Sequence, residues 1–158
     1  MSEALLEIKD LTVKYITMDG VVHAVTDVDL SIGVGETLGL VGETGAGKTT
    51  TALSILKLLP TPPAKIERGS ILFEGQDILE MSDHDIRQIR GSKISMIFQD
   101  PMTALNPIFP VEKQIAEVIS IHEHIPAAEA VKKAQQALEM VRIPAARGRE
   151  YPHQVSGG

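Results

Sequence analysis

A glycine-rich run within the first third of the chain has the spacing needed to hold a row of phosphates. Residues 42–49 read Gly-Glu-Thr-Gly-Ala-Gly-Lys-Thr, which matches the pattern G-x-x-x-x-G-K-[ST] without a gap. Glycines let such a loop bend until successive backbone N–H groups point into one concavity. The N-terminus of a following helix adds its positive dipole end there. The run therefore predicts an anion site built largely of backbone.

Two side chains in this run are suited to bind the phosphates of a nucleotide and its metal ion. Lys48 would place a point charge on the β- and γ-phosphates of a nucleotide, and the Thr49 hydroxyl would ligate Mg²⁺. A chance glycine turn is the alternative, but a predicted strand before the run and a predicted helix after it favour a P-loop that binds ATP with Mg²⁺. The predicted nucleotide-binding residues of this segment are Gly42, Glu43, Thr44, Gly45, Ala46, Gly47, Lys48, Thr49 and Thr50.

Alternating apolar and polar residues at the start of the chain predict two antiparallel strands. Leu5 to Tyr15 and Val21 to Ile32 both show a period near two. Met18-Asp19-Gly20 lies between them, and Asp-Gly is a favoured hairpin pair. Gly69 to Phe73 predicts a further strand, followed by a turn at Glu74-Gly75.

Two short apolar runs predict buried parallel strands beside the phosphate loop. Thr37 to Val41 leads directly into the loop, and Ile94 to Phe98 ends before Gln99. Lys48 to Leu59 predicts the helix after the loop, since apolar residues recur on one face and prolines follow. Ser82 predicts the cap of a short helix that extends to Ile89.

The last third of the chain predicts helices. Pro107 and Pro110 indicate a boundary, so residues 1–106 are predicted to form an antiparallel β subdomain plus part of a P-loop core, and residues 107–158 a helical subdomain. The two apolar stripes at helical spacing are Val111, Ile115, Val118 and Ile119, and Val131, Ala134, Leu138 and Val141.

Composition narrows the class of protein. The chain has 158 residues, and its 15 basic and 21 acidic residues give a net charge of −6, which argues against a nucleic-acid partner. It has no cysteine, which excludes disulfides and thiolate metal sites and is compatible with the cytoplasm. No run of about eighteen apolar residues predicts a membrane span, so membrane association would go through a partner protein.

Three further segments, read with the P-loop, carry a family resemblance. Tyr15 closes Leu11-Thr12-Val13-Lys14-Tyr15, Gln99 follows Met96-Ile97-Phe98, and the chain ends in Val155-Ser156-Gly157-Gly158. In this order and separation the four elements resemble the ATP-binding subunits of ABC transporters. The resemblance runs the whole length of the chain.

The resemblance assigns a role to each segment. It implies that Tyr15 stacks on adenine, although a half-buried strand residue remains an equal alternative. It implies that Gln99 joins the Mg²⁺ site to the transmembrane subunits, whereas its alternative is an ordinary polar residue at a strand end. Ser156, Gly157 and Gly158 match the start of the ABC signature, with Val155 where the family usually has Leu.

Two longer segments narrow the resemblance to one branch of the family. Phe98-Gln99-Asp100-Pro101-Met102-Thr103-Ala104-Leu105-Asn106-Pro107 and Tyr151-Pro152-His153-Gln154 are similar to the oligopeptide, dipeptide and nickel importers. The branch more often has Ser at the position of Ala104. The decapeptide is the more specific of these signals.

The resemblance implies a fold, a function and partners. The expected fold is an α/β P-loop NTPase core of ABC type with an antiparallel β subdomain and a helical subdomain, truncated inside the signature. The expected intact subunit couples ATP hydrolysis to uptake of peptides or a related solute. It would lie on the cytoplasmic face of the membrane, pair head to tail with a second ATP-binding subunit, present Ser156 and Gly157 to the partner's ATP, and contact permease subunits near Gln99.

The residues that carry out hydrolysis in this family have no counterpart in residues 1–158. The Walker B aspartate that holds Mg²⁺, the adjacent glutamate that activates water, and a later histidine would all follow Gly158. The sequence therefore predicts no catalytic residue within the chain and ATP binding without normal turnover. The alternative from a different class is a stand-alone, non-hydrolysing nucleotide-binding or regulatory module.

Overall fold

The computed structural model describes residues 4–99 and 104–155. The chain divides into two compact units, the first ending at Arg87 and the second beginning at Gln88. This division by compactness falls earlier in the chain than the predicted subdomain boundary between residues 106 and 107. That boundary stays a prediction.

The first unit is built on one antiparallel sheet. Its strands are β1 (Ala4–Thr17), β2 (Gly20–Gly33), β3 (Ala64–Phe73) and β4 (Gln76–Asp77), and their order across the sheet is β2-β1-β3-β4. A two-residue turn joins β1 to β2, and another joins β3 to β4. The predicted hairpin and the predicted third strand are therefore confirmed.

Strand β1 lies at the centre and carries most of the core. It pairs along nearly its full length with β2, from Ala4 opposite Gly33 to Thr17 opposite Gly20, and on its other edge with β3. Apolar side chains on these central strands lose nearly all contact with solvent, which is the main favourable term in folding. Those at or below 1% exposure are Ile8, Leu11, Val13 and Ile71.

A polar cluster joins strands β2, β1 and β3 where their pairing register shifts. The Thr12 hydroxyl donates to Asp27 Oδ1 at 3.0 Å, and the Asp27 amide donates back to Thr12 Oγ1 at 3.1 Å. Arg68 forms an ion pair with Asp27. Asp27 has a positive φ of 51° and Gly69, beside Arg68, one of 104°, so the sheet bends here. The guanidinium of Arg68, with the Thr12 hydroxyl, lowers the pKa of the Asp27 carboxyl below its usual value.

Short helices complete the first unit. Helix α1 (Lys48–Ile55) follows the glycine-rich loop and ends earlier than the predicted Leu59. A 3-10 turn covers Ile78–Glu80, and helix α2 (Asp83–Ile89) begins where Ser82 Oγ accepts the Asp85 amide at 3.2 Å. The predicted Ser82 cap is confirmed, and α2 extends across the division between the units.

Two predicted buried strands are wrong. Thr37 to Val41 forms no regular structure and lies exposed, with Val41 95% accessible. Ile94 to Phe98, in the second unit, makes only an isolated bridge from Ile94 to Arg90, and Ile97 is 93% accessible. Within the described residues no strand pairs along either run. An apolar run becomes a buried strand only when neighbouring strands satisfy its backbone and cover its side chains.

The second unit is helical. Helix α3 (Val111–Glu123) and helix α4 (Ala127–Met140) pack through Ala116, Ala130 and Ala134. Val118 and Val141, which the predicted stripes placed inside, are 53% and 66% exposed. Two 3-10 helices follow, Ala145–Arg149 and Pro152–Gln154. Among the described residues, no helix has the length and apolar character to cross a membrane.

Candidate functional site

The glycine-rich loop closes around the ammonium group of Lys48. Lys48 Nζ donates to the carbonyl oxygens of Gly42 at 2.6 Å and Glu43 at 2.7 Å, so the first helical residue reaches back across the loop to its beginning. Inside the loop the Ala46 amide donates to the Glu43 carbonyl at 3.1 Å. The positive charge of Lys48 is thereby held against the first two residues of the loop.

Gly47 is the residue that lets the loop rest on the sheet. Its φ of 80° lies in the left-handed region, and a Cβ atom built on it would stand 2.2 Å from the carbonyl oxygen of Ala24 and 3.1 Å from the side chain of Val25. Any larger residue would therefore collide with the backbone of β2. The close approach fixes the loop and the start of α1 against the sheet.

The N-terminus of α1 leaves its first amides available to a ligand. Gly47 occupies the cap position and offers no side-chain hydrogen bond to the first turn. Unpaired N–H groups and the helix dipole at such an end favour an anion. The Thr51 hydroxyl and the Ser54 hydroxyl instead bond back to main-chain carbonyls of Gly47 and Thr50, and both side chains are buried. The helix is thus anchored on one side and open at its beginning.

Thr49 fits the metal-ligand role that the sequence predicts for it. It lies on the first turn of α1 and is exposed. Mg²⁺ at nucleotide sites takes one or two protein oxygens and completes its shell with phosphates and water. A single accessible hydroxyl beside a phosphate cradle matches that chemistry. Hydrolysis would need carboxylates in addition. Within residues 42–49, Glu43 is the single carboxylate side chain.

The structure brings Tyr15 to the same place as the loop. Tyr15 lies near the end of β1, opposite Val22 of β2 and Ala64 of β3. Its hydroxyl lies 3.4 Å from Oγ1 of Thr50 on α1. The half-buried Tyr15 side chain therefore contacts the first turn of α1, directly after the glycine-rich loop, and adenine stacking by Tyr15 stays a prediction.

The remaining predicted residues are Gln99 and the three signature residues. Gln99 belongs to the second unit, where its side chain is exposed. Ser156, Gly157 and Gly158 lie outside the described residues. The roles of Gln99 and of the signature stay predictions.

Sequence reasoning missed the residues that support the loop. Ala24 and Val25 of β2 form the surface on which Gly47 rests, and Thr50 links α1 to the Tyr15 hydroxyl. Ala24 and Val25 belong to an ordinary alternating strand, so no local signal marked them. The pairing of β1 with β2 is the only sequence feature that could have placed them near the loop.

Comparison with known proteins decides the family. The family model described as ABC transporter matches residues 25–158. The chain belongs to this family. Its position in the ABC transporter family accounts for a P-loop that is followed by a helix and flanked by an antiparallel sheet.

Individual relatives of this ABC transporter chain agree with the family. The oligopeptide transport ATP-binding protein OppD of Bacillus subtilis is 47% identical over 98% of the chain and 44% of its own length. The probable peptide ABC transporter ATP-binding protein y4tR of Sinorhizobium fredii is 45% identical over 99% of the chain and 48% of its own length. The chain thus spans less than half the length of these curated relatives.

A solved structure supports the fold. A dimeric structure of MJ0796, a bacterial ABC transporter cassette, superposes with a TM-score of 0.81 at 23% identity, covering 96% of this chain and 63% of that one. The α/β fold of ABC type predicted from sequence is confirmed.

Proposed function

We propose that this chain is the ATP-binding part of an ABC importer subunit that couples hydrolysis of Mg-ATP to uptake of peptides or a related small solute. The observation that carries the proposal is the P-loop itself. Lys48, the first residue of α1, donates to the carbonyls of Gly42 and Glu43 at the beginning of the loop. The names of the similar proteins, which refer to oligopeptide and peptide transport, support the choice of solute.

In this proposal the first unit binds the nucleotide. The backbone of the loop cradles the phosphates, Lys48 exchanges its carbonyl contacts for phosphate oxygens, and Thr49 ligates Mg²⁺. Tyr15 stacks on the adenine ring, and the contact of its hydroxyl with Thr50 on α1 supports a place for it beside the nucleotide. Gln99 would have the role that the family resemblance implies, which is to join the Mg²⁺ site to the transmembrane subunits.

The partners in this proposal are two. A second ATP-binding subunit pairs head to tail, so that Ser156 and Gly157 contact the nucleotide held by the partner subunit. Permease subunits contact the chain near Gln99 and hold the assembly on the cytoplasmic face of the membrane. A dimeric state named for a similar solved cassette supports the pairing.

Uptake measurements test this proposal. In cells that depend on the product of the whole open reading frame for uptake of a labelled tripeptide, Lys48→Ala should abolish uptake, whereas Lys132→Ala, an exposed lysine on α4, should leave it unchanged. Parallel uptake measurements with nickel ions show whether the transported solute is a peptide or the metal ion. Normal tripeptide uptake with Lys48→Ala would contradict the importer function.

The isolated residues 1–158 should bind ATP and release no more than traces of phosphate. P-loop catalysis rests on positioned charges, and losing one positioned acid or base typically costs about 10²- to 10⁴-fold. Phosphate release by purified 1–158 with Mg²⁺ measures this, with the product of the whole open reading frame as control. Equal rates would mean that the catalytic groups lie within these residues.

A further inference from the structure

One arginine in the second unit joins a carboxylate to a main-chain carbonyl. Arg147 lies in the 3-10 helix Ala145–Arg149. Its Nε donates to Glu150 Oε2 at 3.1 Å, and its Nη2 forms an ion pair with the same oxygen at 3.0 Å. The same Nη2 donates to the carbonyl oxygen of Gln154 at 3.1 Å. A planar guanidinium supplies this fork of donors in a fixed geometry, which a lysine ammonium does not.

The segment that receives this contact is a tightly bonded turn. The Gln154 side-chain oxygen accepts the Tyr151 amide at 2.9 Å, and the Gln154 amide donates to the Tyr151 carbonyl at 2.8 Å. The Val155 amide donates to the Pro152 carbonyl at 3.2 Å. The turn is therefore held as one piece, and Val155 directly precedes Ser156 in the sequence.

Two residues that follow Arg147 in the chain, Gly148 and Glu150, contact the helices α3 and α4. The Glu150 carbonyl accepts the amide of Val111, the first residue of α3, at 3.0 Å. A Cβ atom on Gly148 would stand 2.9 Å from Glu112 of α3 and 2.9 Å from Leu138 of α4, so only glycine allows this close seat between the two helices. Arg147 thus links a firmly packed segment to the turn before Ser156.

We infer that Arg147 is a positioning residue for the ATP-dependent pairing of two subunits, because it holds the turn Tyr151–Val155, which directly precedes Ser156 in the sequence, against the segment packed on α3 and α4. The inference rests on the proposed function, in which Ser156 and Gly157 contact the nucleotide of the partner subunit. A turn that is already fixed before the partner arrives loses less conformational entropy on pairing. Arg147 accordingly affects the ATP-dependent pairing of two subunits and leaves the binding of ATP to a single subunit unchanged.

Sedimentation of the product of the whole open reading frame tests the inference. ATP is supplied with EDTA, so that pairing is measured without hydrolysis. Arg147→Gln should raise the dissociation constant of the ATP-dependent dimer about tenfold, the lower end for loss of a hydrogen bond to a charged group. Arg147→Lys should give a smaller rise, because one donor can still reach Gln154. Arg149→Gln, an exposed arginine on the same 3-10 helix, is the matched control and should pair as wild type does.

A second measurement separates positioning from general stability. Affinity for ATP, measured at protein concentrations too low for pairing, should be equal in wild type and Arg147→Gln. An equal fall in affinity and pairing would mean a merely structural role and overturn the inference, as would wild-type pairing by Arg147→Gln. If the wild-type protein itself fails to pair with ATP, the head-to-tail dimer of the proposed function fails and the inference falls with it.

Discussion

Strand β3 and the run Thr37–Val41 are both rich in apolar residues, yet the structure treats them in opposite ways. Ile71 of β3 is fully buried, whereas Leu40 is 49% and Val41 95% exposed. The run Ile94–Phe98 in the second unit behaves as Thr37–Val41 does. Apolar composition alone therefore does not decide whether a segment becomes a buried strand.

The difference lies in where each segment finds its hydrogen-bonding partner. Antiparallel strands can be joined by a two-residue turn, as β1 and β2 are, so the partner is close in the chain. Parallel strands need a crossover of about a dozen residues or more, and their burial requires cover on both faces. A run of the second kind depends on distant parts of a fold.

A matched pair of isoleucines tests this comparison with the largest expected effect. Ile71→Ala should lower the free energy of unfolding by about 2–5 kcal/mol, because it removes a buried side chain from a packed core. Ile97→Ala should change it by less than about 0.5 kcal/mol, since Ile97 is 93% exposed. Urea unfolding of both variants of residues 1–158 measures the two values. Comparable losses would show that the run Ile94–Phe98 is buried in solution.

Tyr15 sharpens the comparison, because it is a predicted nucleotide-binding residue that lies in a paired strand, β1. The register of β1 holds its ring beside α1. Tyr15→Ala should weaken ATP binding by about 1–3 kcal/mol, the range for loss of stacking on an aromatic side chain, and Tyr15→Trp should be nearly neutral. Calorimetric titration with ATP checks both. Unchanged affinity in Tyr15→Ala would reduce Tyr15 to an ordinary strand residue.

The smallest expected effect is a pH dependence in the same sheet. Arg68 lowers the folded-state pKa of Asp27, so this carboxylate contributes stability above its unfolded pKa of about 3.9 and loses it as the pH falls through the lower folded value. Asp27→Asn tolerates the positive φ, and its difference from wild type should be full at about pH 5 and shrink below about pH 4. Urea unfolding across this range measures it, with Asp19→Asn in the hairpin turn as control. A difference independent of pH would exclude the ion pair as its source.

Local signals in the sequence were sufficient for much of the fold. The period of two, the Asp-Gly turn and the Ser82 cap each act through neighbouring residues, and each predicted element is present. The two wrong strands were inferred from apolar composition, whose outcome depends on partners that the sequence pattern does not name. Helix α1 ends earlier than predicted because a turn at Leu56 stops it before the prolines are reached.

The candidate site divides in the same way. The P-loop was predictable because its chemistry lies in eight consecutive residues. The seat of Gly47 on Ala24 and the contact of Tyr15 with Thr50 join residues more than twenty positions apart. These contacts form where the loop and α1 meet strands β1 and β2, so no local motif could have specified them.

Calorimetric titration of residues 1–158 with Mg-ATP tests the central claim most directly. Wild type should bind, and Lys48→Ala should lose about 1.5–3 kcal/mol of binding free energy, the range for a charge-assisted hydrogen bond. Lys132→Ala, on the exposed side of α4, should bind as wild type does. Unchanged ATP affinity in a folded Lys48→Ala variant would contradict the assignment of this loop to phosphate binding.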